Sequence, residues 1–111
     1  MQIDHFNIQG AIDRETRCEH YHTKNDIIAI KFYCCDNYFP CYLCHEKYGC
    51  GNHIVWPREH FDQKAILCGD CMEELTIYEY LNSENSCLSC GAQFNAGCML
   101  HHHLYFDKYV K

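Results

Sequence analysis

The chain has 111 residues, eleven cysteines, nine histidines and a formal charge of −6, with nine Lys and Arg against fifteen Asp and Glu. One domain is the expectation at this length, with a core too small to hold the fold without staples. The acidic balance and the lack of a basic run argue against a nucleic-acid partner, and no apolar stretch is long enough to span a bilayer.

The N-terminal "MQIDHFNIQGAIDRE" carries acidic residues early and no apolar core of a secretory signal. A cytoplasmic, reducing compartment is the expectation, in which clustered cysteines bind metal rather than form structural disulfides. Residues 1–17 show no sustained period and are expected to pack on the body, with 1–9 as an N-terminal arm. From Asp26 onward, Ile28, Ile30 and Phe32 alternate with Ile27, Ala29, Lys31 and Tyr33. That pattern is a strand with two apolar faces, and so a central one.

Pro40 stops regular pairing, and "CYLCH" makes a metal knuckle, a tight turn whose amides can face the first thiolate. A glycine-containing loop follows to His53. Trp56 and Phe61 then lead into a short strand at Ala65 to Leu67 and a second knuckle, "CGDC". One main helix is predicted over about 71–82, capped by Asp70 with Glu73 three residues later and faced by Met72, Leu75, Tyr78 and Leu81. Cys71 would then sit at its positive end. A third knuckle, "CLSCG", and the tail "FNAGCMLHHHLYFDKYVK" complete the chain. The predicted fold class is a small α+β zinc-stabilised domain of short strands, knuckles and that helix.

The recurrence of two-ligand pairs makes the metal reading strong. One Cys-x-x-Cys is a weak signal, but Cys41/Cys44, Cys68/Cys71, Cys87/Cys90 and Cys98/His101 all stand three apart. Two-residue loops are tight for disulfides and suit a tetrahedral ion that takes two ligands from each of two turns. Cys18 and His20 leave the same face of an extended segment and can share an ion. Cys34, Cys35, His45 and His53 bring the candidates to fourteen, two more than three closed four-ligand sites require.

The preferred partition gives one ion Cys18, His20, Cys41 and Cys44, and another Cys87, Cys90, Cys98 and His101. The middle ion takes Cys68 and Cys71 with two of Cys34, Cys35, His45 and His53. Adjacent candidates, Cys34 with Cys35 and Cys44 with His45, point to opposite faces of an extended chain. Each such pair is therefore expected to serve two sites or to contain a non-ligand. Cys50 is expected to be a free thiol, and His5, His22, His60, His102 and His103 are expected to be bystanders. Tyr21, Tyr33, Trp56, Phe94, Tyr105 and Phe106 read as core and metal-site cover.

"CEHY", then "CC", "FPCYLCH", a later His and three further pairs closely resemble the CHY-type zinc finger, over about residues 10–106. The resemblance implies a module binding about three Zn2+ ions, with all fourteen candidates on the family's Cys/His pattern. In animals and plants such modules precede a RING domain. No RING-length extension follows residue 106 here, so ubiquitin-ligase activity is not implied. A small mitochondrial member is associated with assembly and metal status of intermembrane-space proteins.

The function expected is that of a non-catalytic zinc-binding module that holds a protein partner or handles zinc. No His-Glu-x-x-His or deaminase-like signature is present. The alternative is a thiol-disulfide oxidoreductase or redox-sensing zinc protein, because "CGDCMEELTIYEYL" reads as Cys-x-x-Cys before a helix.

Overall fold

The computed structural model describes residues 2–35, 37–51, 54–95 and 105–106. In chain order its elements are β1 (Gln2–Ile3), β2 (Phe6–Asn7), β3 (Ile28–Phe32), β4 (Asn37–Phe39), α1 (Tyr42–Tyr48), β5 (Lys64–Cys68), β6 (Glu74–Thr76) and α2 (Ile77–Leu81). A four-stranded antiparallel sheet runs β4-β3-β5-β6, and β1 and β2 form a separate hairpin. The architecture is the small α+β domain expected.

β3 is central because both its faces are apolar. Ile28, Ile30 and Phe32 join Phe39, Ile66, Leu75 and Trp56 in the larger core, while Ala29 meets Leu67 and Tyr38 on the other face. The N-terminal hairpin and the residue that follows it seal that second face with Ile3 and Ile8, 1% and 0% exposed. Burial of each such side chain is worth about 1.5–3 kcal/mol. The N-terminal segment is thus part of the core and not merely laid upon it.

Helix structure differs from the prediction over about 71–82. Met72 takes a left-handed backbone, φ 62°, directly after Cys71, which no helix can start from. Residues Glu74–Thr76 instead pair with β5 as β6. Helix α2 begins only at Ile77, where Thr76 and Glu79 form a reciprocal capping box in place of Asp70 and Glu73. Its buried residues are Ile77 and Tyr80, and Tyr78, expected on the buried stripe, is exposed. Cys71 therefore has no helix N-terminus behind it. A second helix, α1, forms where the sequence pattern predicts only a knuckle.

Of the aromatic cover, Trp56, Phe94, Tyr105 and Phe106 are buried, whereas Tyr33 is 39% exposed. Trp56 donates its indole N–H to the Lys31 carbonyl at 2.6 Å. Tyr105 accepts the Tyr42 amide at its hydroxyl, 3.1 Å away, tying the C-terminal segment to the first residue of α1.

Candidate metal centres

Among the described residues three groups of Cys and His converge, each with four ligand atoms within 4.8 Å of one another. The first is Cys18, His20, Cys41 and Cys44; the second is Cys34, Cys35, His45 and Cys50; the third is Cys68, Cys71, Cys87 and Cys90.

Helix α1 builds two of them at once. Cys41 is its N-cap, and the Cys41 Sγ accepts the Cys44 amide at 3.4 Å, so the knuckle and the helix start are one structure. One residue further round the helix, His45 leaves on another side, about 100° away. It is buried, stacked on Phe32 at 4.1 Å and edge-on to Phe39. Its Nε2 lies 3.2 Å from the Cys34 Sγ and 3.6 Å from the Cys50 Sγ.

In the first group Cys41 Sγ stands 3.6 Å from both Cys18 Sγ and Cys44 Sγ, and His20 Nδ1 is 3.5 Å from both Cys41 Sγ and Cys44 Sγ. The Nε2 side of His20 faces Glu19 Oε1 at 3.5 Å, and that carboxylate also accepts Lys47 Nζ at 2.9 Å. A carboxylate behind a ligand imidazole fixes its tautomer and raises its basicity. Gly10 allows the group to close: at φ 98° it comes so near that a Cβ would lie 2.7 Å from the Cys44 Sγ.

The third group joins two knuckles of the same form. Met72 N–H donates to the Cys68 carbonyl and Gly91 N–H to the Cys87 carbonyl, both at 2.8 Å. The residues that follow the second cysteines, Met72 and Gly91, have φ 62° and 78°. Sulfur contacts run between the knuckles, Cys68 to Cys90 and Cys71 to Cys87, each 3.8 Å.

These separations fit zinc. A tetrahedron with Zn–S near 2.3 Å and Zn–N near 2.05 Å has S–S edges of about 3.8 Å and S–N edges of about 3.6 Å. The donor sets, three thiols with one imidazole twice and four thiols once, are those of closed structural sites. About three zinc ions per chain is the stoichiometry the three groups fit.

Proton affinities divide the thiols of the first and third groups. Hydrogen bonding with Cys41, then with Cys44, holds the Cys18 thiol down at about 2. Contact with Cys18 first of all pushes Cys41 up to about 12, and contacts with Cys18 and Cys41 raise Cys44 as well. In the third group burial leads the rise of Cys68 and of Cys90, the latter to about 11. Burial opposes ionisation of Cys87 too, but the amides of Cys90 and Ser89 outweigh it and lower that thiol. Cys35 is pushed up to about 11, chiefly by burial. Zinc must displace protons from the raised thiols, so its binding weakens as pH falls.

The structure places twelve cysteine and histidine side chains in these groups, eleven of them among the fourteen candidates. The first group has the membership expected. Cys87 and Cys90 converge with Cys68 and Cys71, whereas the sequence partition assigned them to Cys98 and His101. Those two residues, like His53, His102 and His103, lie outside the described residues. Cys34 and Cys35 enter one group together, because a turn after β3 replaces the extended chain assumed for them. Cys50, expected as a free thiol, is the twelfth member. It stands five residues from His45, and only the end of α1 at Gly49 turns the chain back to bring it close. No spacing rule signals that.

The local match of "CGDC" to a redox motif does not extend to its surroundings. The motif begins at the end of strand β5 and leads into strand β6, not a helix, and its sulfurs Cys68 and Cys71 each stand 3.8 Å from a sulfur of the other knuckle.

The CHY zinc finger profile matches residues 18–97, most of the chain. The chain belongs to the CHY zinc finger family. This CHY zinc finger is 42% identical over 105 residues to Helper of Tim protein 13 of Saccharomyces cerevisiae, covering 87% of this chain and 86% of that protein. It is 38% identical over 99 residues to Helper of Tim protein 13 of Kluyveromyces lactis, covering 87% and 84%. An uncharacterized protein of Schizosaccharomyces pombe is 33% identical over 102 residues, covering 91% and 89%. No solved structure matches this chain significantly. Among the described residues no helix is long and apolar enough to cross a membrane.

Proposed function

We propose that this CHY zinc finger is a non-catalytic helper protein that acts by binding a protein partner, with a Tim protein as the partner. Similarity along nearly the full length of two proteins named Helper of Tim protein 13 carries the reading. The chemistry of the groups agrees with it. Each already assembles four protein ligands, whereas a catalytic zinc keeps a position for water or substrate. The ions' role is then to hold β3, α1 and the knuckles in place, so that a surface can be presented.

Isothermal titration of the zinc-loaded chain against a Tim protein of the same organism tests this. Saturable binding that disappears after chelation supports it; heat of dilution alone, with the chain folded and loaded, overturns it. In cells a tagged chain is expected where that partner is found, in place of the cytoplasm expected from the N-terminal sequence.

A further inference from the structure

The three groups differ in how their sulfurs meet solvent. In the first, Cys18, Cys41 and Cys44 are 0%, 2% and 1% exposed. The second presents one exposed thiol, Cys50. The third presents two, Cys71 and Cys90, and each faces a buried sulfur of the opposite knuckle: Cys71 faces Cys87, 3% exposed, and Cys90 faces Cys68, 0% exposed, both at 3.8 Å. An exposed thiolate with a second sulfur in reach is the arrangement that thiol-disulfide exchange requires. The third group is also the one with four thiolates and no imidazole. Around a divalent ion it carries a net charge of −2, against −1 for the other two, and its sulfurs are correspondingly the most nucleophilic.

We propose that the third group is an oxidisable site, in which a small disulfide such as oxidised glutathione converts the four thiolates to the cross-knuckle disulfides Cys68–Cys90 and Cys71–Cys87 and releases the ion. In the first step the Cys90 thiolate attacks one sulfur of the small disulfide. The S–S bond breaks, one thiolate leaves, and a mixed disulfide remains on Cys90. Cys68 then attacks the Cys90 sulfur and expels the second thiolate. Two electrons have passed from the protein to the small disulfide, which leaves as two thiolates that take protons from water. The ion has lost two of its four ligands and departs, and Cys71 with Cys87 repeats the exchange with a second equivalent. Reduction by excess thiol in the presence of zinc reverses both steps.

The pairing distinguishes this site from an oxidoreductase motif, in which the two cysteines of one Cys-x-x-Cys would join. The test treats the zinc-loaded full chain with oxidised glutathione, follows zinc with a chromogenic chelator and maps disulfides by peptide mass spectrometry. One ion per chain is expected to leave at least about tenfold faster than the other two. Peptides linking Cys68 to Cys90 and Cys71 to Cys87 should form at the same rate, and both changes should reverse with excess reduced glutathione and zinc. First release from either other group, bonds within a knuckle, or no release while a free-cysteine peptide in the same tube is oxidised would each overturn the proposal. None of these readouts depends on a protein partner, so the outcome is separate from that of the binding experiment.

Discussion

Cys44 and His45 are neighbours in sequence on α1, yet they belong to different metal groups. Cys44 turns to Cys18, Cys41 and His20, and His45 to Cys34, Cys35 and Cys50. One helix of seven residues, about two turns, therefore couples two sites mechanically. In a cadmium-substituted protein, 113Cd NMR should show three resonances, two from three-sulfur, one-nitrogen sites and one from a four-sulfur site. Cys44→Ala should abolish or displace one of the mixed resonances and His45→Ala the other. The same resonance responding to both substitutions would contradict the divergence.

Cys50 is exposed, but its Sγ lies 3.6 Å from the His45 Nε2. Cys50→Ala should leave the second site with three ligands, so that in a competing chelator the chain retains two ions where the unaltered chain retains three. Native mass spectrometry reads this directly. Alkylation gives the converse: Cys50 should be protected in the loaded protein and labelled once zinc is stripped.

Gly10 sits on the first site from outside. Gly10→Ala combines a left-handed φ of 98° with a Cβ placed 2.7 Å from the Cys44 Sγ. The backbone cost alone is about 1–2 kcal/mol. Chelator competition should show one ion weakened and the other two unchanged, with a lower Tm by differential scanning calorimetry. Retention of all three ions at unaltered affinity would mean that the segment around Gly10 moves aside.

Asp26 is buried and accepts three hydrogen bonds, from the Thr23 amide, the Thr23 hydroxyl and the Asn95 side chain, at 2.8, 2.6 and 2.8 Å. Burial raises its proton affinity, but the bonds from Thr23 and Asn95 outweigh burial and lower it below the usual carboxylate value. Because the folded value is the lower one, the stabilisation is present above about pH 4 and is lost as pH falls through the folded value. Asp26→Asn should cost about 1–3 kcal/mol at neutral pH. Urea titrations at several pH values should show the difference from the unaltered chain shrinking toward acid; a constant difference would point to packing instead.

Thr76 caps α2, and Glu73 does not. Thr76→Ala should lower stability by about 1 kcal/mol, while Glu73→Ala should change it little. Equal losses would return the helix start to the position that the sequence pattern suggested.

The sequence by itself determined the chemistry: the i, i+3 cysteine pairs, the Cys18/His20 pair and the alternation through Ile28–Phe32 are local patterns, and local geometry converts each into a knuckle, a shared face or a central strand. The first group's membership and the count of about three ions were legible for that reason. Only the tertiary structure decided which knuckles meet. The register that sets Ile28 against Cys68 fixes where the second knuckle projects, and the chain beyond α2 returns to it: Asn95 donates its amide to the Asn25 carbonyl and its side chain to Asp26. These contacts join residues tens of positions apart, so spacing carries no trace of them. Cys50 was hidden for the same reason, since a lone cysteine becomes a ligand only where the end of a helix turns it toward thiols that precede it. The helix start lies elsewhere than the sequence pattern predicts because a stripe of apolar side chains at three-residue steps also fits a turn followed by an edge strand. The choice between them was made by knuckle geometry, which puts Met72 in a left-handed conformation that a helix cannot accept.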